Sequence, residues 1–462
     1  MIKRFCFLSA AAFIIVSLIS CSSAQSDRNA KNELKYFPVY IVGKNPDINL
    51  SDSLFLNSIA KDTWKFFENS TYGNTGFVVD KIFVDRQNAA HYTSITNIGL
   101  YLVCTAYAYK LNYITRNEAL NKINTTIKSL LKLERYKGFF YNWYEIDSLK
   151  QSGNYISTVD AGWLYSSLFI ISNIFTDELG KTCNKLIDDA DFLWLYDEKE
   201  GAFRLGYDVK SGFSPYHYKL LVSEARIALY LAVIKNQLRP KSWFKLARTL
   251  DKNIEQEQYP KGGYSTYEGE EYFNGYYMYD SLKVVPSWGG SMFEFLMTDM
   301  FIDERMAIKG MGLNNFNMIK AQIDFCLNKN NYKVWGMSPC ATPDGGYGEF
   351  GVYLLGTKKG GYPNGVVTPH ASCLALNYYP KEVLANLKNM IKNYSVYGEY
   401  GFYDCVDMKS GEVGKTYLAL DQSMIFISIA NYLTDNYIPN LLEKNSNLQN
   451  MFEIIKSEEF YK

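Results

Sequence analysis

Histidine is almost missing from this chain. There are three in 462 residues, His91, His217 and His370, with no HExxH or paired CxxC spacing, so the sequence offers no zinc or haem site and no metal is expected. No cofactor is expected either: the glycine runs "PDGGYGEFG" (343–351) and "KKGGYPNG" (358–365) neither end in GK[ST] nor follow a strand, and read as turns rather than phosphate loops. Net charge is lacking too. Lysine plus arginine (48) equals aspartate plus glutamate (48) with no basic cluster, which argues against nucleic acid as a partner. After the first twenty residues, no stretch approaches the roughly 18 uninterrupted apolar residues of a membrane helix.

What is abundant is aromatic: 39 Tyr, 28 Phe and 7 Trp, 16% of the chain. Tyrosine combines a flat apolar face with a hydroxyl, which suits stacking on sugar rings. The first residues, "MIKRFCFLSAAAFIIVSLISCSSAQSD", have the layout of a secretory signal, with two basic residues, an apolar stretch and small residues around a cysteine. Leu18-Ile19-Ser20-Cys21 resembles the bacterial lipobox, so residues 1–20 read as a lipoprotein signal peptide, Cys21 as the lipidated residue and 21–50 as its tether. An ordinary signal peptide with a chance cysteine is the alternative. The expected location is the outer membrane, facing the periplasm or the cell surface. Six later cysteines, Cys104, Cys183, Cys326, Cys340, Cys373 and Cys405, are widely spaced and read mostly as free thiols.

From residue 51 to about 440 the pattern is helical, with apolar residues at three- and four-residue spacing. "TRNEALNKINTTIKSLLKLE" (115–134) opens with a Thr115/Glu118 capping box and carries Ala119, Ile123, Ile127, Leu130 and Leu131 on one face. Further helices are predicted near 52–68, 94–112, 157–174, 177–196, 218–236, 241–250, 287–303, 312–330, 368–379, 380–394 and 420–435. About twelve helices without a sequence repeat suggest six helical hairpins, that is, an all-α (α/α)6 barrel, with a plain helical bundle as the alternative. Long loops at 136–156, 200–217, 258–286 and 335–367 would form one rim, and 441–462 reads as a C-terminal tail.

In order along the chain, "STVDAGWLYSSL" (157–168), "FLWLYDEKEGAFRLGYDV" (192–209), "LLVSEARIALYLAVIKN" (220–236), "SWFKLAR" (242–248), "SWGGSMFEFLM" (287–297), "VWGMSPC" (334–340), "YGEFGVYLLG" (347–356), "VVTPHASCLAL" (366–376), "YGFYDCVD" and "YLALDQSM" resemble the glucoamylase-like domain. That family occurs in cyclic β-1,2-glucan synthases and in secreted relatives of β-1,2-glucanases. The resemblance implies an (α/α)6 barrel, an activity on β-linked glucan, chiefly β-1,2-glucan, and carboxylate acid/base catalysis. A monomer acting on a glucan or oligosaccharide, with the membrane met only through the N-terminal lipid, is the expected state.

Glycoside hydrolysis needs one protonated carboxyl group and a second, ionised one. Glu224 stands at the start of an apolar inner helix, where desolvation raises a carboxyl pKa, and Arg226, two residues on, points elsewhere. By resemblance, Glu224 is the general acid; a structural pair with an unseen arginine is the other reading. Glu294, a lone carboxylate in "VVPSWGGSMFEFLMTDMF" (284–301), is read as cleft-facing, with hydrogen bonding to a loop equally open. Asp160 either caps its helix after Ser157 or contacts sugar. Asp421 matches a family aspartate placed near the sugar or the attacking water. Trp143, Tyr144, Trp163, Trp288 and Trp335 are candidate stacking platforms, any of which could be core. Tyr347, Glu349 and His370 complete the candidate binding residues. Related β-1,2-glucanases carry further acidic residues where this chain has Trp163 and Ser166, which leaves open a displaced base, a changed specificity or lost hydrolysis. Two other functions therefore stand beside the hydrolase: a glycan-binding lipoprotein without catalysis, and a transglycosylase.

Overall fold

The computed structural model describes residues 45–456 and 458–462; the expected signal peptide, Cys21 and most of the tether lie outside the described residues. The helices run α1 (Asp52–Asn69), α2 (Ile95–Lys110), α3 (Arg116–Leu130), α4 (Thr158–Ile174), α5 (Glu178–Asp188), α6 (Arg226–Ile234), α7 (Met292–Leu296), α8 (Glu304–Ala307), α9 (Lys309–Asp324), α10 (Pro369–Leu374), α11 (Pro380–Asn393), α12 (Ala419–Leu433), α13 (Tyr437–Leu442) and α14 (Ser446–Ile455).

Two kinds of helix alternate. α2, α4 and α12 are buried on nearly every side, as their unbroken apolar sequences require, whereas α3, α5 and α11 bury one stripe and expose the other. The buried set packs in cyclic order: α2 on α4, α4 on α6, α7 on α10, α10 on α12, and α12 back on α2. The remaining step, α6 to α7, is bridged by Arg226, whose Nη2 donates to Phe295 O at 3.1 Å and to Thr298 Oγ1 at 2.7 Å.

The expectation of an all-α chain needs correction, because the described residues also hold 26 strands of two to four residues. They lie in the loops between helices, where a long crossing segment must pair its own backbone groups. Several sit directly before an inner helix: Tyr155–Ser157 pairs with Gly206–Asp208 ahead of α4, and Thr416–Leu418 with Lys81–Phe83 ahead of α12. Strand pairing also explains shortened helices. His217–Tyr218 is bonded to Phe203–Arg204, so the helix predicted at 218–236 begins only at Arg226. The stretch predicted at 241–250 is a 3-10 turn (Pro240–Lys245), and 287–303 is five α-helical residues followed by the 3-10 turn Met297–Met300.

The segment read as a C-terminal tail is folded onto the domain. α14 buries Leu448, Met451 and Ile455, and Glu458 is sealed against Arg248 in a fully buried ion pair. The six later cysteines are all free and buried.

Candidate active site

The inner helices begin at one rim, and each places a polar residue within or just before its first turn. Asn97, Asp160, Glu294 and Asp421 are the third residues of α2, α4, α7 and α12; His370 is the second of α10, and Glu224 lies two residues before α6. Serine caps recur here: Ser94, Ser157 and Ser291 accept the N–H of Asn97, Asp160 and Glu294. Capping at α2 and α4 needs only the serine hydroxyl, which leaves the third side chain free of the cap, whereas Glu294 also closes the cap on α7.

Neighbouring side chains carry the polar circuit around that mouth. Thr96 donates to Asp160 Oδ1 at 2.6 Å, and the Asn142 amide, in its hydrogen-bond-satisfying orientation, donates to Asp160 Oδ2 at 3.1 Å. Tyr218 stands in the fields of Glu224, Tyr155 and Asp160. Tyr362 lies among Glu294, Glu349 and Glu224, and Tyr347 among Asp421, Asp404 and Glu349. Asn97 closes the circuit by donating to Asp80 Oδ1 at 2.9 Å.

Glu224 and Glu294 are adjacent and equally buried, yet their surroundings differ. The Glu224 carboxylate takes one side-chain hydrogen bond, from Ser223 Oγ at 3.2 Å, and burial, reinforced by the charge of Glu294, pushes its pKa up to about 7. Arg226 does not neutralise it, being committed to Glu304 through Nε at 2.8 Å and Nη2 at 2.8 Å. Glu294 accepts from Ser287 Oγ at 2.9 Å, Gly289 N at 2.9 Å, Ser291 N at 2.9 Å and Ser291 Oγ at 2.8 Å. Burial raises its pKa while these donors oppose the rise. Glu294 thus closes a capping box on α7, and it faces the mouth by adjoining Glu224. The two preceding glycines are required: a Cβ on Gly289 would meet the Tyr362 ring at 2.1 Å, and Gly290 has φ +81° with Val352 O at 2.1 Å from where its Cβ would be.

Asp421 is 1% exposed. Its pKa is raised well above the usual carboxylate range, first by burial and then by the charge of Asp404, whose carboxyl group lies beside it. His370 Nδ1 lies 3.1 Å from Asp421 Oδ2, and burial pushes the imidazole pKa down to about 3, so His370 is neutral there. Asp404 and Asp80 were not singled out in the sequence. Their signal was a charged residue inside an apolar, strand-like run, "GFYDCV" and "FVVDKIF", which only the fold joins to Asp421.

The aromatic candidates divide. Trp163, 1% exposed, packs edge-on against Phe301 at 5.1 Å, and Trp335 is equally buried, so both are core rather than stacking platforms. Tyr144 is buried as well, its hydroxyl donating to Glu134 O. Trp143 and Trp288 are half-buried, Trp143 lying edge-on to Tyr92 at 5.5 Å; Tyr347 is exposed and Glu349 half-buried. Ser166 is buried in α4 and supplies no acid there. Among the described residues no group of His, Cys, Asp and Glu is arranged to hold a metal ion.

A buried acid with its pKa pushed up to about 7 just ahead of one inner helix, and a carboxyl pair formed by Asp421 of another helix with Asp404 beside it, are the two unlike environments that acid/base hydrolysis of a glycoside uses. Residues 219–446 match the Glycoamylase family, described as "Putative glucoamylase", and residues 58–199 match a family described as a protein of unknown function. The cyclic beta-(1,2)-glucan synthase NdvB of Rhizobium meliloti is 22% identical over 81% of this chain and 18% of its own length. The exo beta-1,2-glucooligosaccharide sophorohydrolase (non-reducing end) of Parabacteroides distasonis is 19% identical over 88% of this chain and 58% of its own length. The chain therefore spans under a fifth of the first relative and under three fifths of the second. The endo-beta-1,2-glucanase from Chitinophaga pinensis, solved as a complex with sophorotriose and glucose, has the same fold, with a TM-score of 0.70 at 16% identity over 88% of this chain and 98% of that one. Residues 219–446 thus match the Glycoamylase family, and the chain is similar in sequence to a cyclic β-1,2-glucan synthase.

Proposed function

We propose that this protein is a glycoside hydrolase of (α/α)6-barrel fold that cleaves β-1,2-glucan or oligosaccharides derived from it. The observation that carries this reading is Glu224, a buried carboxyl group left with a single hydroxyl donor at the rim of the inner ring, where it retains a proton near neutral pH. Glu224 is the general acid: it gives its proton to the departing glycosidic oxygen. Asp421 takes a proton from the water that attacks the anomeric carbon. α6 and α12 stand three places apart in the cyclic order of six, so the two groups face each other across the mouth with a sugar and a water between them. We read this placement as the inverting one, in which a water fits between carboxyl groups about 6.5–9.5 Å apart. Asp160 with Asn142, the half-buried Trp143 and Trp288, and Tyr347 and Glu349 supply hydroxyl and face contacts to the glucan. The names of the β-1,2-glucan-active relatives support the substrate class.

The chain is further proposed to be an exported lipoprotein held at the outer membrane through Cys21, because a buried acyl chain contributes about 0.8 kcal/mol per CH₂ and a lipobox cysteine carries more than one. Cys21→Ala should move it from the membrane to the soluble fraction; continued membrane association would exclude that anchor. The activity is tested by incubating the protein with a panel of β-linked glucans and reading products by chromatography and anomeric NMR. Shortened products from β-1,2-glucan with inverted configuration are expected. Binding without cleavage of any glucan, or rearranged chain lengths without new reducing ends, would overturn the hydrolase reading.

A further inference from the structure

Asp404 is a buried acid that the mechanism above does not use. It lies on the strand Cys405–Asp407's leading edge, and like Asp421 it is 1% exposed. One of its oxygens, Oδ2, accepts the Ala341 N–H at 2.5 Å, while Oδ1 and both oxygens of Asp421 make no hydrogen bond among the described residues, His370 Nδ1 lying 3.1 Å from Asp421 Oδ2 but out of line for one. Yet the two buried carboxyl groups are neighbours, each acting on the other's ionisation. Two acceptors pressed together out of water, with no cation between them, repel strongly unless one of them carries a proton and donates it to the other.

The other groups facing the pair do not change this. Lys81 opens the strand paired with Thr416–Leu418 ahead of Asp421, and Asp80 precedes it, with Lys81 Nζ 3.6 Å from Asp80 Oδ2, so that cation is already shared with an acid. Cys340 and Cys405 are buried thiols beside the pair. Tyr347 faces it as a phenol, and His370 as a neutral ring whose Nδ1, 3.1 Å from Asp421 Oδ2, makes no hydrogen bond to it. Asn97 spends its side-chain N–H on Asp80.

We infer that Asp404 is a positioning residue that shares one proton with Asp421, so that the pair carries a single negative charge and Asp421 is held oriented as the group that takes the proton from water. The inference rests on the proposed hydrolase reading of Asp421. In the step itself the water oxygen bonds to the anomeric carbon, the glycosidic bond breaks, and the leaving oxygen takes the proton of Glu224. The proton lost by the water enters the Asp404–Asp421 pair, which then holds two. Exchange with solvent removes one and reprotonates Glu224, restoring both groups.

Asp404→Asn separates this role from a structural one. The asparagine carbonyl still accepts the Ala341 N–H and its amide still reaches Asp421, so a merely structural Asp404 predicts an unchanged pH profile. An amide N–H is a weaker donor to Asp421 than a carboxyl O–H, and a paired acid ionises first at lower pH than a lone one in the same site. The acidic limb of kcat on β-1,2-glucan should therefore move up by about one pH unit, with kcat at pH 6 lower by roughly tenfold and KM little changed. In infrared spectra at pH 7, the wild-type-minus-Asp404→Asn difference should contain a protonated carboxyl C=O band, and Asp421→Asn should show the same loss. An unshifted acidic limb, or a difference spectrum with carboxylate bands alone, overturns the inference. If wild-type protein cleaves no glucan, the hydrolase reading falls and takes the catalytic role with it, while the infrared band still decides whether the pair holds a proton.

Discussion

Two groups of acids are buried in this molecule, and they are buried for different purposes. Glu304 and Glu458 sit between elements, each completely enclosed and each met by an arginine: Glu304 by Arg226 and by Tyr230 Oη at 2.7 Å, Glu458 by Arg248, by Trp243 Nε1 at 2.7 Å and by Tyr272 Oη at 2.8 Å. Glu224, Asp404 and Asp421 are buried almost as deeply at the mouth of the helix ring, but no arginine reaches them and their oxygens are short of donors. Depth is shared; satisfaction is not. A desolvated carboxylate with a guanidinium and two further donors keeps its charge and ties elements together, whereas one without them takes up a proton and can give it back.

The contrast is tested most severely at Glu224. Glu224→Gln keeps the shape and the Ser223 contact but has no carboxyl proton, so turnover on β-1,2-glucan should fall by on the order of 10² to 10⁴ while binding survives. The loss should shrink on an aryl glycoside, whose leaving group needs little protonation. The same substitution should raise stability. Glu224 has a folded pKa of about 7 against an ordinary value of 4.5, so below pH 4.5 it is protonated in both states, and between these values the folded state holds more proton. Its contribution is thus fully present in acid and is lost as pH rises to 7, by roughly 3 kcal/mol at about 1.4 kcal/mol per pKa unit. Urea unfolding at pH 8 should find the Gln variant more stable than wild type, and at pH 4 the gap should close. Turnover near that of wild type, or a variant less stable at pH 8, would place Glu224 with the structural acids.

The opposite result is expected at the arginine-bound set. Arg248→Met leaves Glu458 enclosed without its cation, and removes a guanidinium lying 4.1 Å over the Tyr272 ring. Breaking a buried pair on one side costs about 3–5 kcal/mol. Denaturant midpoints should drop accordingly, and turnover per folded molecule should not change. A variant as stable as wild type would show that the C-terminal segment adds little to the fold.

Much of this was legible in the sequence, and the gaps have physical causes. α2, α4 and α12 were readable because a helix surrounded by other helices must be apolar on nearly every face. The Thr115/Glu118 capping box is explicit in the sequence, whereas the same Ser-x-x-Glu spacing at Ser291 and Glu294 leaves a cleft-facing role and bonding to a loop equally open, and the structure shows the loop donors. The apolar residues around Glu294 hid that two serines and a glycine N–H would supply its donors. Trp163 and Trp335 looked like platforms because composition cannot say which side of a helix wall a ring faces. Asp404 and Asp421 are 17 residues apart, and Arg248 and Glu458 are 210 apart, so neither pair leaves a local trace. Residues 441–462 therefore read as a C-terminal tail, although Glu458 is sealed inside. The short strands were missed because two paired residues leave no period to detect.

Glu294 sharpens the comparison because it has the position of one group and the satisfaction of the other. It lines the mouth beside Glu224, but four donors hold it. If donor supply decides the role, Glu294→Gln should behave as a cap variant. The glutamine carbonyl can keep some of the Gly289 and Ser291 hydrogen bonds, and its amide must face a remaining donor, so the expected stability loss is about 1–3 kcal/mol. Turnover at the pH optimum should change little. One electrostatic effect should remain: the negative charge of Glu294 is the second cause, after burial, of the raised Glu224 pKa. Removing that charge should lower the alkaline limb of the kcat profile, which reports loss of the Glu224 proton, by less than about one pH unit. Thermal melts establish that the variant is folded, and the pH profile then decides. A turnover loss as large as that of Glu224→Gln, with the alkaline limb unmoved, would mean that Glu294 itself carries the transferred proton and that four hydrogen bonds do not prevent a carboxyl group from acting as the acid.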